Sequence, residues 1–149
     1  MRLHWMFNIL VDIPPGVPNH KMRRTIQIPA DVTMYNAMSH MHLLGRSMKA
    51  WAVKPDGSQV PLVWVDDWDF NWQMTYAFRQ PVRLPKGSRV EIEAVFDNSE
   101  GNPNNPNRPP KRVRFGEETT DEMFLMICAF TLDQEVPGAP QSFGFGIGG

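Results

Sequence analysis

Two histidines separated by one residue, in the tripeptide His40-Met41-His42, have the spacing best suited to metal chemistry in this chain. They fall in residues 32–42, a segment predicted to be an extended strand. Residues two apart in a strand project to the same face, about 6 to 7 Å from each other, so the two imidazoles can converge on one metal ion. A pair of surface histidines explains the same tripeptide equally well.

A third ligand is not evident from residue types alone. The other histidines, His4 and His20, are distant in sequence, and the single cysteine, Cys128, lies inside an apolar stretch. A zinc site with four imidazole or thiolate ligands is therefore not predicted. A thioether is a soft ligand that favours copper, Cu(I) in particular, but the chain has ten methionines and composition does not single one out.

The elements that would position these residues are predicted to be short strands, because fourteen prolines and eleven glycines punctuate the 149 residues. The apolar residues Leu3, Trp5, Phe7 and Ile9 alternate with their neighbours, which is the period of a strand that buries one face. Residues 123–130 are apolar throughout and predict a central strand covered on both sides.

Two turn sequences predict hairpins. Pro55-Asp56-Gly57-Ser58 separates residues 46–54 from 59–65, and Pro85-Lys86-Gly87 separates residues 75–84 from 89–97. The frequent turns and the absence of a helical period predict an all-β protein, an antiparallel β-sandwich of jelly-roll-like form with about eight strands.

The length fits one domain, which we place at residues 1–133. The proline-rich residues 98–112 are predicted to form a long surface loop, and the Pro- and Gly-rich residues 134–149 a flexible tail.

Composition excludes several classes of protein. The formal net charge of −1 lacks the basic excess of a nucleic-acid-binding protein. The longest apolar run has eight residues, far fewer than the roughly 20 of a membrane span. One cysteine excludes an intramolecular disulfide, and no signal peptide is evident. The compartment stays open, and would be periplasmic or extracellular if the chain is part of an exported longer protein.

The string His40-Met41-His42-Leu43-Leu44-Gly45-Arg46, with Ile13-Pro14-Pro15-Gly16 before it and Thr120-Asp121-Glu122-Met123 after it, resembles a known family. This is the C-terminal domain of the copper type II, ascorbate-dependent monooxygenases, which include the peptidylglycine α-hydroxylating and dopamine β-hydroxylating enzymes. The chain looks closest to bacterial members. The resemblance implies a catalytic copper bound by His40, His42 and Met123, O2 activation for C–H hydroxylation, and ascorbate or another reductant as electron donor.

Two departures from the family shape these expectations. The family's second, electron-transfer copper centre has no counterpart here, so the chain is predicted to be part of a larger protein in which another copper domain or a haem domain supplies electrons. Peptide-amidating members bind a substrate carboxylate through Arg, Asn and Tyr at positions that here read Met38, Leu125 and Ile127. The implied pocket is apolar, and the implied substrate is a small apolar or aromatic molecule.

Two alternatives stay open. The first is a non-catalytic domain that binds or carries copper. The second is a metal-free sandwich that binds carbohydrate or protein through a platform of aromatic rings, for which the candidates are Trp51, Trp64, Trp68 and Trp72. Glu122, next to Met123, is predicted to point to the opposite strand face and has no assigned role.

Overall fold

The computed structural model describes residues 1–134, which form ten β-strands and no helix. In chain order the strands are β1 (Arg2–Phe7), β2 (Asp12–Ile13), β3 (His20–Gln27), β4 (Val32–His40), β5 (Gly45–Val53), β6 (Gln59–Val65), β7 (Thr75–Leu84), β8 (Arg89–Phe96), β9 (Val113–Arg114) and β10 (Leu125–Leu132).

Eight of these strands form two four-stranded antiparallel sheets. The first sheet has the order β1-β10-β4-β7 and the second has the order β3-β8-β5-β6, while β2 and β9 form a two-stranded ribbon. Buried side chains from both sheets make one hydrophobic core, whose largest members include Phe96, Phe124, Phe130, Met34 and Met48. The predicted all-β antiparallel sandwich is confirmed, and the apolar run at residues 123–130 contributes most of the interior strand β10.

One of the two predicted hairpins is correct. Strands β5 and β6 pair across the turn at Gly57, whose positive φ of 84° suits glycine. The second hairpin is wrong, because β7 pairs with β4 in the first sheet whereas β8 pairs with β3 and β5 in the second. The intervening turn instead bonds to the β3–β4 connection, where the Gly87 N–H donates to the Ile28 carbonyl at 2.9 Å.

The N-terminal strand exists as predicted but with its faces exchanged. Leu3 and Trp5 are 59% and 54% exposed, whereas His4 and Met6 are buried. The register with β10 explains this orientation, because His4 lies opposite Cys128 and Met6 opposite Met126, and both partners face the core. Leu3 and Trp5 therefore lie on the outer face of the first sheet.

The proline-rich loop contains no strand, as predicted, but three of its asparagines are buried. Asn98 Nδ2 donates to the carbonyls of Pro14 at 3.1 Å and Lys111 at 2.7 Å, and Asn105 Nδ2 donates to Asn98 Oδ1 at 3.0 Å. These bonds hold the loop against the segment that follows β2.

The predicted tail at residues 134–149 lies outside the described residues except for Gln134, and its predicted flexibility stays a prediction. Among the described residues, no helix is long and apolar enough to cross a membrane.

Candidate metal centre

The two histidines of the His-Met-His tripeptide lie where β4 ends. The strand stops at His40, so the prediction that His42 belongs to it is wrong, and His42 lies in the connection to β5. Their rings still converge, with centroids 5.2 Å apart and planes at 84°. Met41, between them, is fully buried in the core. The tripeptide thus directs two imidazoles to one side of the chain and a hydrophobic side chain to the other.

Met123 lies just before β10, which begins at Leu125 rather than at Met123 as predicted. The last pair of the β10–β4 ladder joins Leu125 to His40. Met123, two residues before Leu125, therefore lies at the same end of the first sheet as the histidines. Its side chain is half-buried and lines the same cavity as His40. The structure therefore brings the predicted third ligand and the first histidine to one cavity.

A glutamine determines which nitrogen of His40 is free. Gln73 Nε2 donates to the Phe70 carbonyl at 2.8 Å, which turns the Gln73 amide oxygen toward His40. That oxygen lies 2.6 Å from His40 Nδ1 and can only accept a hydrogen bond. His40 Nδ1 therefore carries the proton, and the Nε2 lone pair is left for a metal ion.

The same tautomer is set in His42 by a main-chain oxygen. His42 Nδ1 lies 3.2 Å from the Asp121 carbonyl, so Nδ1 donates and Nε2 keeps its lone pair. Burial lowers the pKa of His42, and the hydrogen bond to the Asp121 carbonyl opposes that shift. The ring of Phe70 contacts the His42 ring edge to face, with centroids 6.0 Å apart. His42 is thus held as a neutral imidazole, the form that coordinates metals.

Trp68 packs against the segment that contains His42. Its indole Nε1 donates to the His42 carbonyl at 3.1 Å, and the ring is buried. A Cβ atom at Gly45 would lie 2.7 Å from Trp68 Cδ1, so only glycine admits the ring at this distance. Because Trp68 is buried, it cannot contribute to the platform of aromatic rings considered as an alternative. Trp51 and Trp64 instead line a shallow groove on the second sheet.

Glu122 is the residue that sequence reasoning missed. Its carboxylate is fully buried and accepts three main-chain N–H groups, from His42, from Leu44 at 3.0 Å and from Met123 at 2.9 Å. Burial raises the pKa of Glu122 to about 7, and the three N–H donors act in the opposite direction. The available signal was a carboxylate directly before an apolar stretch, where an unpartnered charge is costly.

An apolar cavity of about 380 Å³ opens beside His40. It contains all three residues predicted to line a substrate pocket, and the complete lining is Trp5, Phe7, Met38, His40, Phe115, Glu117, Met123, Leu125 and Ile127. The register accounts for this grouping, since Ile127 lies opposite Met38 on one side and Trp5 on the other. The only charged side chain in the lining is Glu117, which is exposed.

The donor set suits copper. Two imidazoles that each direct Nδ1 at an acceptor and a thioether would together form a soft donor set without carboxylates, which favours Cu(I) over harder ions. Among residues 1–134, no three His, Cys, Asp or Glu side chains are grouped so that they could hold a metal ion.

Residues 13–132 match the family model for the C-terminal domain of copper type II ascorbate-dependent monooxygenases. No curated protein matches the chain in a sequence comparison. The family match begins after β1, so Trp5 and Phe7 lie outside it.

Proposed function

The chain belongs to the family of C-terminal domains of copper type II ascorbate-dependent monooxygenases, and we propose that it binds one catalytic copper through His40, His42 and Met123. The observation that best supports this assignment is that both histidines donate from Nδ1, to Gln73 and to Asp121, and so present Nε2. A pair of unrelated surface histidines has no need of two fixed tautomers.

When bound, copper would supply the chemistry that inserts one oxygen atom of O2 into a substrate C–H bond and reduces the other to water, with two electrons from ascorbate or another reductant and two protons. The protein's contribution is to hold the ligands and to exclude water from the reacting carbon. Met38, Leu125 and Ile127 form an apolar wall next to His40, which favours desolvation of an apolar group there.

The lining predicts a small apolar or aromatic substrate. Within residues 1–134 no cationic side chain lines the cavity, and the exposed Glu117 in its lining would repel a carboxylate. Burying an unpaired carboxylate against Met38 and its neighbours would cost several kcal/mol. An uncharged aromatic alcohol should therefore bind better than its carboxylate analogue, and Met38→Arg should narrow or reverse that preference. Tighter binding of the carboxylate by the wild-type chain would overturn the substrate assignment while leaving the copper assignment standing.

We further propose that this chain acts as part of a larger assembly, in which a second copper domain or a haem domain delivers electrons. Alone with copper and ascorbate, it should consume O2 slowly and release peroxide. Fast, tightly coupled hydroxylation by the isolated chain would contradict this proposal. A complete absence of O2 uptake by the copper-loaded chain would favour the alternative of a non-catalytic copper carrier.

The metal assignment is tested by calorimetry with Cu(I). The wild-type chain should bind one Cu(I) in preference to Zn²⁺, and His40→Ala/His42→Ala should abolish that binding. His20→Ala, which removes a half-buried histidine from the second sheet, is the matched control. Met123→His should retain the metal with altered X-ray edge spectra. Undiminished Cu(I) affinity in the double variant would show that these histidines are not the ligands.

A further inference from the structure

Glu122 connects the two chain segments that carry the ligands of the proposed copper site. Its Oε1 atom accepts both the His42 N–H and the Met123 N–H, and its Oε2 atom accepts the Leu44 N–H. We propose that Glu122 is a positioning residue, which sets the distance between His42 and Met123 by binding both main chains through one oxygen. This inference rests on the proposed function, because it supposes that those residues bind copper.

The sheet itself does not hold these two ligands together. Strand β4 ends at His40 and β10 begins at Leu125, and the pairing between them ends with those two residues. His42 and Met123 therefore lie beyond the last ladder bonds, and among the described residues no main-chain hydrogen bond joins these two segments. Besides the contacts of Glu122, the segments are linked by the bond from His42 Nδ1 to the Asp121 carbonyl. The Glu122 carboxylate joins the two segments by accepting main-chain N–H groups from both.

A carboxylate is the side chain that fits three converging donors. It is an acceptor at both oxygens, whereas the isosteric amide of glutamine has one acceptor oxygen and one donor nitrogen. In Glu122→Gln, either the shared contact to His42 and Met123 or the contact to Leu44 becomes an N–H facing an N–H. Because Glu122 is fully buried, solvent cannot relieve that repulsion without a movement of the main chain.

The consequence for a bound metal is specific. Movement of the Met123 segment relative to His42 changes the separation of the thioether and the imidazole, while the tautomer of His40 stays as Gln73 sets it. Second-layer changes of this kind commonly weaken metal binding by about ten- to a hundredfold. Glu122 therefore acts on the metal through its ligands, without touching it.

The test compares Glu122→Gln with Glu93→Gln. Glu93 is also buried, but it pairs with Arg23 at 2.7 Å and Lys49 at 3.2 Å on the second sheet, so it controls for the loss of a buried carboxylate. Competition with a chromophoric Cu(I) chelator should show at least tenfold weaker binding for Glu122→Gln and wild-type binding for Glu93→Gln. The Cu²⁺ hyperfine splitting in the electron paramagnetic resonance spectrum should change only in Glu122→Gln.

A purely structural role predicts a different result. A Glu122→Gln variant that unfolds more easily, yet binds Cu(I) within twofold of wild type with an unchanged resonance spectrum, overturns the inference. If Glu122→Gln does not fold, Glu122→Asp retains the charge with a shorter reach, and the same two measurements apply.

Amide hydrogen exchange in the wild-type chain tests the same coupling through Glu122 without a substitution. Loading with Cu(I) should slow exchange at His42, Leu44 and Met123 together, and slowing at His42 alone would contradict the coupling. Undiminished Cu(I) binding by His40→Ala/His42→Ala would identify a failure of the proposed function itself. If the double variant loses Cu(I) binding as expected but Glu122→Gln binds Cu(I) like wild type, only the positioning role of Glu122 is refuted.

Discussion

Gly45 lies at the first residue of β5, three positions after His42, and its substitution by alanine tests how closely the histidine segment is packed. A Cβ atom there would lie 2.7 Å from Trp68 Cδ1 and 2.9 Å from Met41 Cβ. Neither neighbour is the free end of a flexible chain, since one is an indole ring and the other is attached directly to the main chain. We expect the Trp68 ring to move and its hydrogen bond to the His42 carbonyl to weaken.

The size of the effect follows from these distances. Restoring an ordinary contact of 3.4 Å requires the ring to move by about 0.7 Å. Overpacking of a buried site costs ~1–3 kcal/mol, and a weakened buried hydrogen bond adds ~0.5–1.5 kcal/mol, so Gly45→Ala should lose ~2–4 kcal/mol of unfolding free energy. For a domain of this size each kcal/mol lowers the Tm by ~2–4 °C, which gives a total decrease of ~5–15 °C.

Calorimetry or circular dichroism on metal-free protein measures this change. Gly101→Ala is the matched control, because the nearest atom to its added Cβ is Ser99 Oγ at an ordinary 3.6 Å. In a Trp68→Leu background the smaller side chain leaves room for the added Cβ. A double-mutant cycle should then show that Gly45→Ala loses less unfolding free energy there, by about 1 kcal/mol or more. Equal Tm values for Gly45→Ala and Gly101→Ala, or full additivity with Trp68→Leu, would refute the reasoning.

Three further outcomes are expected. Gln73→Leu removes the acceptor from His40 Nδ1 and should weaken Cu(I) binding about ten- to a hundredfold in chelator competition; unchanged affinity would show that the tautomer does not matter. Burial lowers the pKa of His4 from 6.5 to about 4, so the unfolded chain takes up the proton first. The free energy of unfolding should therefore fall as the pH drops from 6.5 to 4, by at most ~3 kcal/mol. Urea unfolding of His4→Phe should show a smaller decrease over this pH range, and an equal decrease in the variant would contradict the assignment to His4. Trp5→Ala should weaken binding of 2-phenylethanol about tenfold in a nuclear magnetic resonance titration, whereas Trp64→Ala, which removes an exposed tryptophan on the other sheet, should not; equal effects would exclude Trp5 from the pocket wall.

Strands and turns could be predicted from the sequence because alternation and turn residues are local properties. The β5–β6 hairpin satisfies both, and it is correct. The 75–84 and 89–97 segments have the same local pattern, but their partners are β4 for one and β3 and β5 for the other. Nothing local distinguishes a turn within a sheet from a turn that crosses between sheets, because the choice depends on pairing with distant strands. The orientation of β1 has the same origin, since its register with β10 decides which face is buried.

Part of the cavity could be predicted because the family resemblance singled out Met38, Leu125 and Ile127, and strand alternation placed them on the faces of His40 and Met123. Met38 and His40 share one face of β4, and Leu125 and Ile127 share one face of β10. The residues that orient the histidines could not be anticipated. Gln73 is 33 positions from His40 and Glu122 is 80 positions from His42. The predicted strand began two residues too early, which placed Glu122 on the strand face opposite to Met123. In the structure Glu122 instead accepts main-chain N–H groups from the two segments that contain His42 and Met123.

The polar groups around the candidate site determine which charge state of a metal it accommodates. Both histidines donate to neutral oxygens, an amide in Gln73 and a main-chain carbonyl in Asp121, rather than to carboxylates that would make the imidazoles more basic. The buried carboxylate of Glu122 is directed at main-chain amides. The cavity beside His40 is lined by apolar side chains apart from exposed Glu117, and the Asp121 carboxylate lies close enough to His42 to act on it electrostatically. An uncharged donor set beside an apolar wall accommodates an ion of charge +1 more easily than one of charge +2, because the free-energy cost of removing an ion from water rises steeply with its charge. The arrangement would therefore favour Cu(I) over Cu(II) in the proposed site of His40, His42 and Met123.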